Sequence, residues 1–366
     1  MDLVNVYPVT TKLSVVSSDE TRLGTIIVKA SFAIGSDGRV RVERDAPAAV
    51  LTDDEIGELG IEPREDTAHQ LPIFEVIFLG AAYAPGGAQR SFQAGLAVGA
   101  QSRRITVFGR RVWQGEGREA RIVEQEPATR VPLGPQAAFG GSVPLQVDAK
   151  SVMPIFYPFN DMGVGFDPGK IVAGLRQEMV FPPGFPRWPQ PRRLPQLEDP
   201  DHPIRAWDDE PRPVFWSGLS LQSALGLEDA LGIDIKRMID PAAPMPTMPD
   251  ADAVARQIAV RAHPAWRIGL PPAEAVVALR NLTRDARLDF RLPSITILVD
   301  YEVGERTGTL ELWPQRLTIH AEERRFSLLY RRSFNFGAGR KQTRALRLRL
   351  ERGWPRSIGR EGARAA

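Results

Sequence analysis

Cysteine is absent from this 366-residue chain. Structural disulfides, thiol nucleophiles and cysteine–zinc sites are therefore excluded. Histidine is scarce. The four present, His69, His202, His263 and His320, are far apart and show no HxxxH or HExxH spacing, so no imidazole-built metal site is expected. Long apolar runs are missing too. Stretches such as Ile73–Ala84 are strand-sized or interrupted by Glu, Gly or Pro, well short of the roughly 18–20 residues of a membrane helix. The opening MDLVNVYPVT has neither a basic region nor a long apolar one, so it does not read as a secretory signal. The expected location is the cytoplasm, with no membrane contact.

Catalytic signatures are also few. There is no GxSxG, although a triad assembled in space would leave no such trace. GVGFDPGK (Gly163–Lys170) has the glycines and lysine of a phosphate loop but not their spacing. Only three residues separate Gly165 from Gly169, and Ile171 stands where a hydroxyl is needed. The carboxylate groups Asp53–Asp54–Glu55, Glu62–Glu65–Asp66 and Asp208–Asp209–Glu210 read as solvated loop charge. No catalytic residue, metal or cofactor is assigned.

What is present favours β structure. Glycine and proline number 32 each, and 43% of residues are hydrophobic, enough for a sizeable core. Short apolar segments alternate with turn residues. Strands are expected at Leu13–Val16, Gly24–Ile34 and Arg39–Glu43, with a hairpin turn at Asp37–Gly38. More are expected at Phe74–Tyr83, Ser91–Val98, Arg103–Phe108 and Arg110–Trp113. A later set covers Ala275–Asn281, Arg287–Leu292, Ser294–Val299, Thr309–Leu312, Arg316–His320 and Phe326–Ser333. From Pro127 to Pro213 proline and glycine are dense, but the segment is rich in aromatics, as a loop pinned to a surface would be. Leu219–Met238 carries apolar residues at helical spacing.

The expected fold is mainly β, an antiparallel β-sandwich-like body with long Pro/Gly-rich loops and one or two short helices. Residues 1–216 form an N-terminal β-rich part that includes the long loop region. Residues 217–265 form a helical insertion and linker, and 266–337 a C-terminal β part on the same body. Residues 338–366 are a basic tail in which LRLRLER (Leu346–Arg352) alternates strictly and adds one edge strand with its arginines facing solvent. From Arg340 onward there are nine basic residues and two glutamates; this +7 leaves −5 on the body, for a total of +2. An acidic body argues against a nucleic-acid partner.

Several segments, taken in order, resemble the type VI secretion effector adaptors, a family catalogued as domain-of-unknown-function family two-one-six-nine. IIVKASFAI with Lys29, followed by Asp37–Gly38, is similar to the family's VKATF…DG. VIFLGAAYAPGG resembles its strand ending in AYAPxG. ITVFGRRVW, with Arg110 and Trp113, is similar to VxGDRxW. PLGPQAAFGGS keeps Phe139, Gly140 and Gly141 of AFGG. FNDMGVGF resembles NPxGxGF and keeps Phe159, Asn160, Gly163, Gly165 and Phe166. LPQLEDPDHPI, with Glu198, is similar to LPNIEDP. AVVALRNLTRDARLDFRLP and the final LLYRRSF complete the series. Arg110 stands where the family has an acid, Asp161 where it has proline, and its GTYD-type segment is missing.

The resemblance implies a non-enzymatic adaptor or chaperone. Such a protein binds a secreted toxin effector in the cytoplasm and helps load it onto the spike-tip protein. The expected partner surface is the aromatic-rich stretch containing Phe139, Phe159, Phe166, Trp188, Trp207 and Trp216. Lys29, Arg110, Asn160 and Glu198 are expected to fix loops by hydrogen bonds. A hydrolase on a β scaffold and a carbohydrate-binding module are the alternatives.

Overall fold

In a computed structural model of the chain, the described residues are 2–17, 22–44, 48–51, 54–63, 66, 73–115, 117–146, 152–166, 192–207, 209, 211–220, 261–335 and 344–353. Trp188, most of the expected helix at Leu219–Met238 and the linker after it lie outside them.

The described fold is mainly β. Its largest sheet runs in the order Asp2–Val4, Arg344–Arg352, Ile295–Val303, Arg306–His320, Arg325–Asn335, Arg22–Ile34, Thr10–Ser17. Phe74–Leu79 adds parallel to the second half of Arg306–His320. The antiparallel sheets include a curled half-barrel. A second sheet has five strands in the order Leu197–Glu198, Gln101–Phe108, Ser91–Val98, Val276–Arg280, Arg287–Arg291. Among the described residues are three short 3-10 turns, Gly117–Glu119, Pro135–Ala137 and Pro264–Trp266.

The hydrophobic pattern explains how the two sheets meet. In Ser91–Val98 the residues Phe92, Ala94, Leu96 and Val98 are buried and the alternate ones face out, as a two-residue period requires. Ile105, Val107, Val277, Leu279, Leu288 and Phe290 extend that inner face, and all join one core with Ile26, Val28, Phe32, Phe78, Leu317 and Leu328 of the large sheet. Phe326 bridges the layers. Its ring stacks 4.9 Å from Phe32 and 5.0 Å from Phe290. Each such aromatic contributes about 1.5–3 kcal/mol by burial, with about 0.5–1.5 kcal/mol more per ring pair.

Three strand expectations need correction. Thr309–Leu312 and Arg316–His320 are one strand, Arg306–His320, with a bulge between Pro314 and Arg316. The first half pairs with Ile295–Val303 and the second with Phe74–Leu79, so the strand passes from one part of the sheet to another at its proline. Phe74–Tyr83 is instead two strands, broken at Gly80. A Cβ on Gly80 would come within 2.7 Å of the Phe78 ring. Finally, Arg344–Arg352 is a strand but not an edge. It lies between Asp2–Val4, which pairs in parallel, and Ile295–Val303, which pairs antiparallel. Leu346 and Leu348 are core residues, while Arg347 and Arg349 are exposed.

Candidate functional site

A charged, open cleft and the buried anchors behind it form the candidate site. The cleft, about 680 Å³, is walled by Asp199, His202, Arg205, Asp209 and Arg212. A second hollow of about 370 Å³ shares Asp199 and Asp201 with it and adds Arg103, Arg104 and His263. The loop 199–212 forms the wall of the larger cleft and one side of the smaller hollow.

That loop is held from below. Arg111 is buried and donates to Glu198 Oε1 and, at 2.9 Å, to the Pro195 carbonyl. Its guanidinium lies over the Phe108 ring, 3.4 Å from the centroid. Glu198 Oε2 in turn accepts from the Ile204 amide at 3.0 Å. A buried charge survives only when paired and hydrogen-bonded, and here the pair secures both ends of Glu198–Ile204. Trp113 packs beside it on Leu194 and Ile204, with Trp207 against the same cluster. Within the loop, Asp209 Oδ2 accepts from the amides of Arg205 and Ala206, and Asp199 Oδ2 meets His202 Nδ1 at 3.1 Å. Arg110 does not take the anchoring role expected of it. It is exposed beside Glu126, because the strand pleat turns its neighbour Arg111 inward.

Asn160 builds a second anchor. Its Nδ2 donates to the carbonyls of Pro135 (2.8 Å) and Phe139 (3.0 Å), and its Oδ1 accepts from the Met162 amide. The glycines of both motifs let this happen. A Cβ at Gly140, where φ is +144°, would sit 2.2 Å from the Asn160 carbonyl oxygen, and one at Gly163 would sit 2.5 Å from Asn160 Nδ2. Phe139–Gly140 and Val164–Gly165 pair as short parallel strands on this support. Tyr157 gathers Phe139, Phe159 and Phe166 around it at centroid distances of 5.0–5.5 Å. Arg212 from the cleft loop lies over Phe159 at 4.0 Å, joining this cluster to the cleft wall. Trp216, expected at the surface, is 1% exposed and packs edge-on to Phe78 and Trp266.

The third anchor is a buried ionic network, in which Lys29 takes the loop-fixing role expected of it and the other members carried no such expectation. Lys29 donates to Glu62 (3.1 Å) and Asp66 (3.0 Å). Arg316 donates to Asp66 Oδ1 and to Glu75 Oε2, and Glu75 Oε1 accepts from the amides of Arg261 and Ala262. Arg261 reaches Asp54 at 2.6 Å. The carboxylates Glu62 and Asp66, read as solvated loop charge, are thus buried and paired. Burial works to raise the Glu75 pKa, but Arg316, the Ala262 amide and Arg331 hold it below the ordinary carboxylate value. Burial pulls His320 down, against the pull of Glu62 3.4 Å away. No run of sequence signals this network, since its members are spread from Lys29 to Arg331.

His263 is neutral. Burial lowers its pKa to about 4. Its Nδ1 accepts from the Ala265 amide, which makes Nε2 the donor to the Pro213 carbonyl at 3.0 Å. Both ring nitrogens are therefore committed to backbone. Among the described residues no group of three or more His, Asp or Glu side chains is placed to hold a metal ion, and no helix is long and apolar enough to cross a membrane.

Comparison with known proteins yields one family. No curated protein and no solved structure matches the chain. A family model described as an uncharacterized protein conserved in bacteria (DUF2169) matches residues 19–331, a span that holds all three anchors and the cleft, and the chain belongs to that family.

Proposed function

We propose that this protein is a type VI secretion adaptor that binds a toxin effector, holds it folded and helps deliver it to the spike tip. The ordered run of family motifs carries this reading. It is supported by what those motifs do here. Lys29, Asn160 and Glu198 are spent inside the protein, each fixing a loop, and the loop nearest the open cleft presents charges of both signs on a rigid base. Such a surface suits recognition of another protein, where pre-organised charge sets specificity and encounter rate. An adaptor that binds only the folded effector stabilises it by mass action. The test is co-expression with a cognate toxin effector. The expected result is a higher soluble yield of effector and a complex that co-elutes on a sizing column. Equal yield without this protein, and no complex, would overturn the proposal.

A further inference from the structure

The outer face of the five-stranded sheet carries a charge pattern that the core does not need. Register places Arg104, Gly95, Arg280 and Arg287 in one row across four strands. The next row reads Ser102, Ala97, Ala278, Asp289, and Arg291 lies one step beyond on the outermost strand. On these strands four arginines thus face one aspartate, with Asp199 and Asp201 of the neighbouring loop in the hollow that Arg104 lines. Arg280 and Arg287 both donate to Asp289, which neutralises one of them, and these bonds hold the Asp289 pKa down. Arg104 and Arg291 are exposed and have no ion pair among the described residues.

Between Arg104 and Arg280 the surface is low. The two lie two strand spacings apart, about 10 Å, with Gly95 between them and Ala97 and Ala278 alongside. Glycine is a poor strand residue, and in a strand it often marks close approach by another chain. Among the described residues nothing demands it at position 95. An added Cβ would meet only Arg280 Cβ at 3.7 Å and Arg103 O at 3.8 Å, both ordinary contacts.

We propose that this basic trough docks an extended acidic segment of a partner protein, lying between Arg104 on one side and Arg280 and Arg287 on the other. The charge sets the chemistry of the occupant, and the trough's width suits one extended chain. The inference deepens the protein-binding reading but is tested without an effector.

The probe is a fluorescent Glu-Thr repeat peptide of about eight residues, the length of the Ser91–Val98 strand, followed by anisotropy at low salt. Saturable binding is expected, falling about tenfold or more in the Arg104→Glu/Arg287→Glu double variant. Gly95→Val should abolish binding while leaving the melting temperature unchanged or raised, since valine favours strands and a Cβ there meets only ordinary contacts. Arg121→Glu, on another sheet, should bind like the wild type. The proposal is overturned if the unmutated protein gives no saturable binding, if Gly95→Val binds normally, if Arg121→Glu loses as much as the double variant, or if an oligothymidylate of equal charge binds as well as the peptide. Failure here with a normal effector complex would discard the trough and keep the adaptor reading.

Discussion

Asn160 fixes three backbone groups with one amide, and its removal tests how much the loops rely on it. Asn160→Ala leaves the carbonyls of Pro135 and Phe139 without that donor. At about 1–3 kcal/mol for each buried group left unpaired, a loss of several kcal/mol in denaturant unfolding is expected; a change under about 0.5 kcal/mol would show that water replaces the amide. Arg316→Met strips Glu75 and Asp66 of a shared cation and should cost about 3–5 kcal/mol by the same measurement. The pH dependence separates two groups. Folded His263 titrates at about 4 against an ordinary 6.5. Between those values the unfolded chain takes a proton that the folded chain refuses, so stability rises with pH across that window and is complete above it. The folded Glu75 value lies below 4.5, so its contribution is present above 4.5 and lost as pH falls through the folded value. In thermal melts across pH, His263→Gln should flatten the limb between about 6.5 and 4, and Glu75→Gln only the limb below 4.5.

Strands were legible where the two-residue period was clean, as in Ser91–Val98 and Arg287–Arg291, and the Asp37–Gly38 turn carries Gly38 at φ +77°. They were illegible where proline interrupted them. Ser142–Gln146 and Val152–Phe156 pair with Pro144 opposite Pro154, and Pro argues against a strand in any reading of sequence alone. The candidate site was partly legible, since the motifs located Lys29, Asn160 and Glu198, but the expectation fell on Arg110, and the pleat gives the anchoring place to Arg111, which stands at the arginine of VxGDRxW. The tail strand is the clearest test at this scale. Deleting Arg344–Arg352 removes Leu346 and Leu348 from the core and bares the edge of Ile295–Val303. The truncated protein should lose stability and aggregate in light scattering. A soluble truncation with an unchanged melting temperature would show that the strand is dispensable.

One core runs through both sheets, from Val9 to Leu348, with a small satellite cluster of Trp113, Leu194 and Ile204 beside it. Tryptophan fluorescence from Trp216 and Trp266 and the far-ultraviolet β signal should therefore fall together on unfolding, as one transition. Two separated midpoints would mean independent parts. The ionic network has a consequence for how the chain is made. Arg316 lies 241 residues after Glu75 and 250 after Asp66. While a ribosome is still adding the intervening residues, those carboxylates, and Lys29 with them, have no finished interior to enter. Contacts this far apart in sequence slow folding, and the first sheet's inward face must wait, part-built, for strands translated last. The nascent protein is therefore most exposed to misassociation late in its synthesis, and its need for holding factors should peak just before Arg306–His320 leaves the exit tunnel.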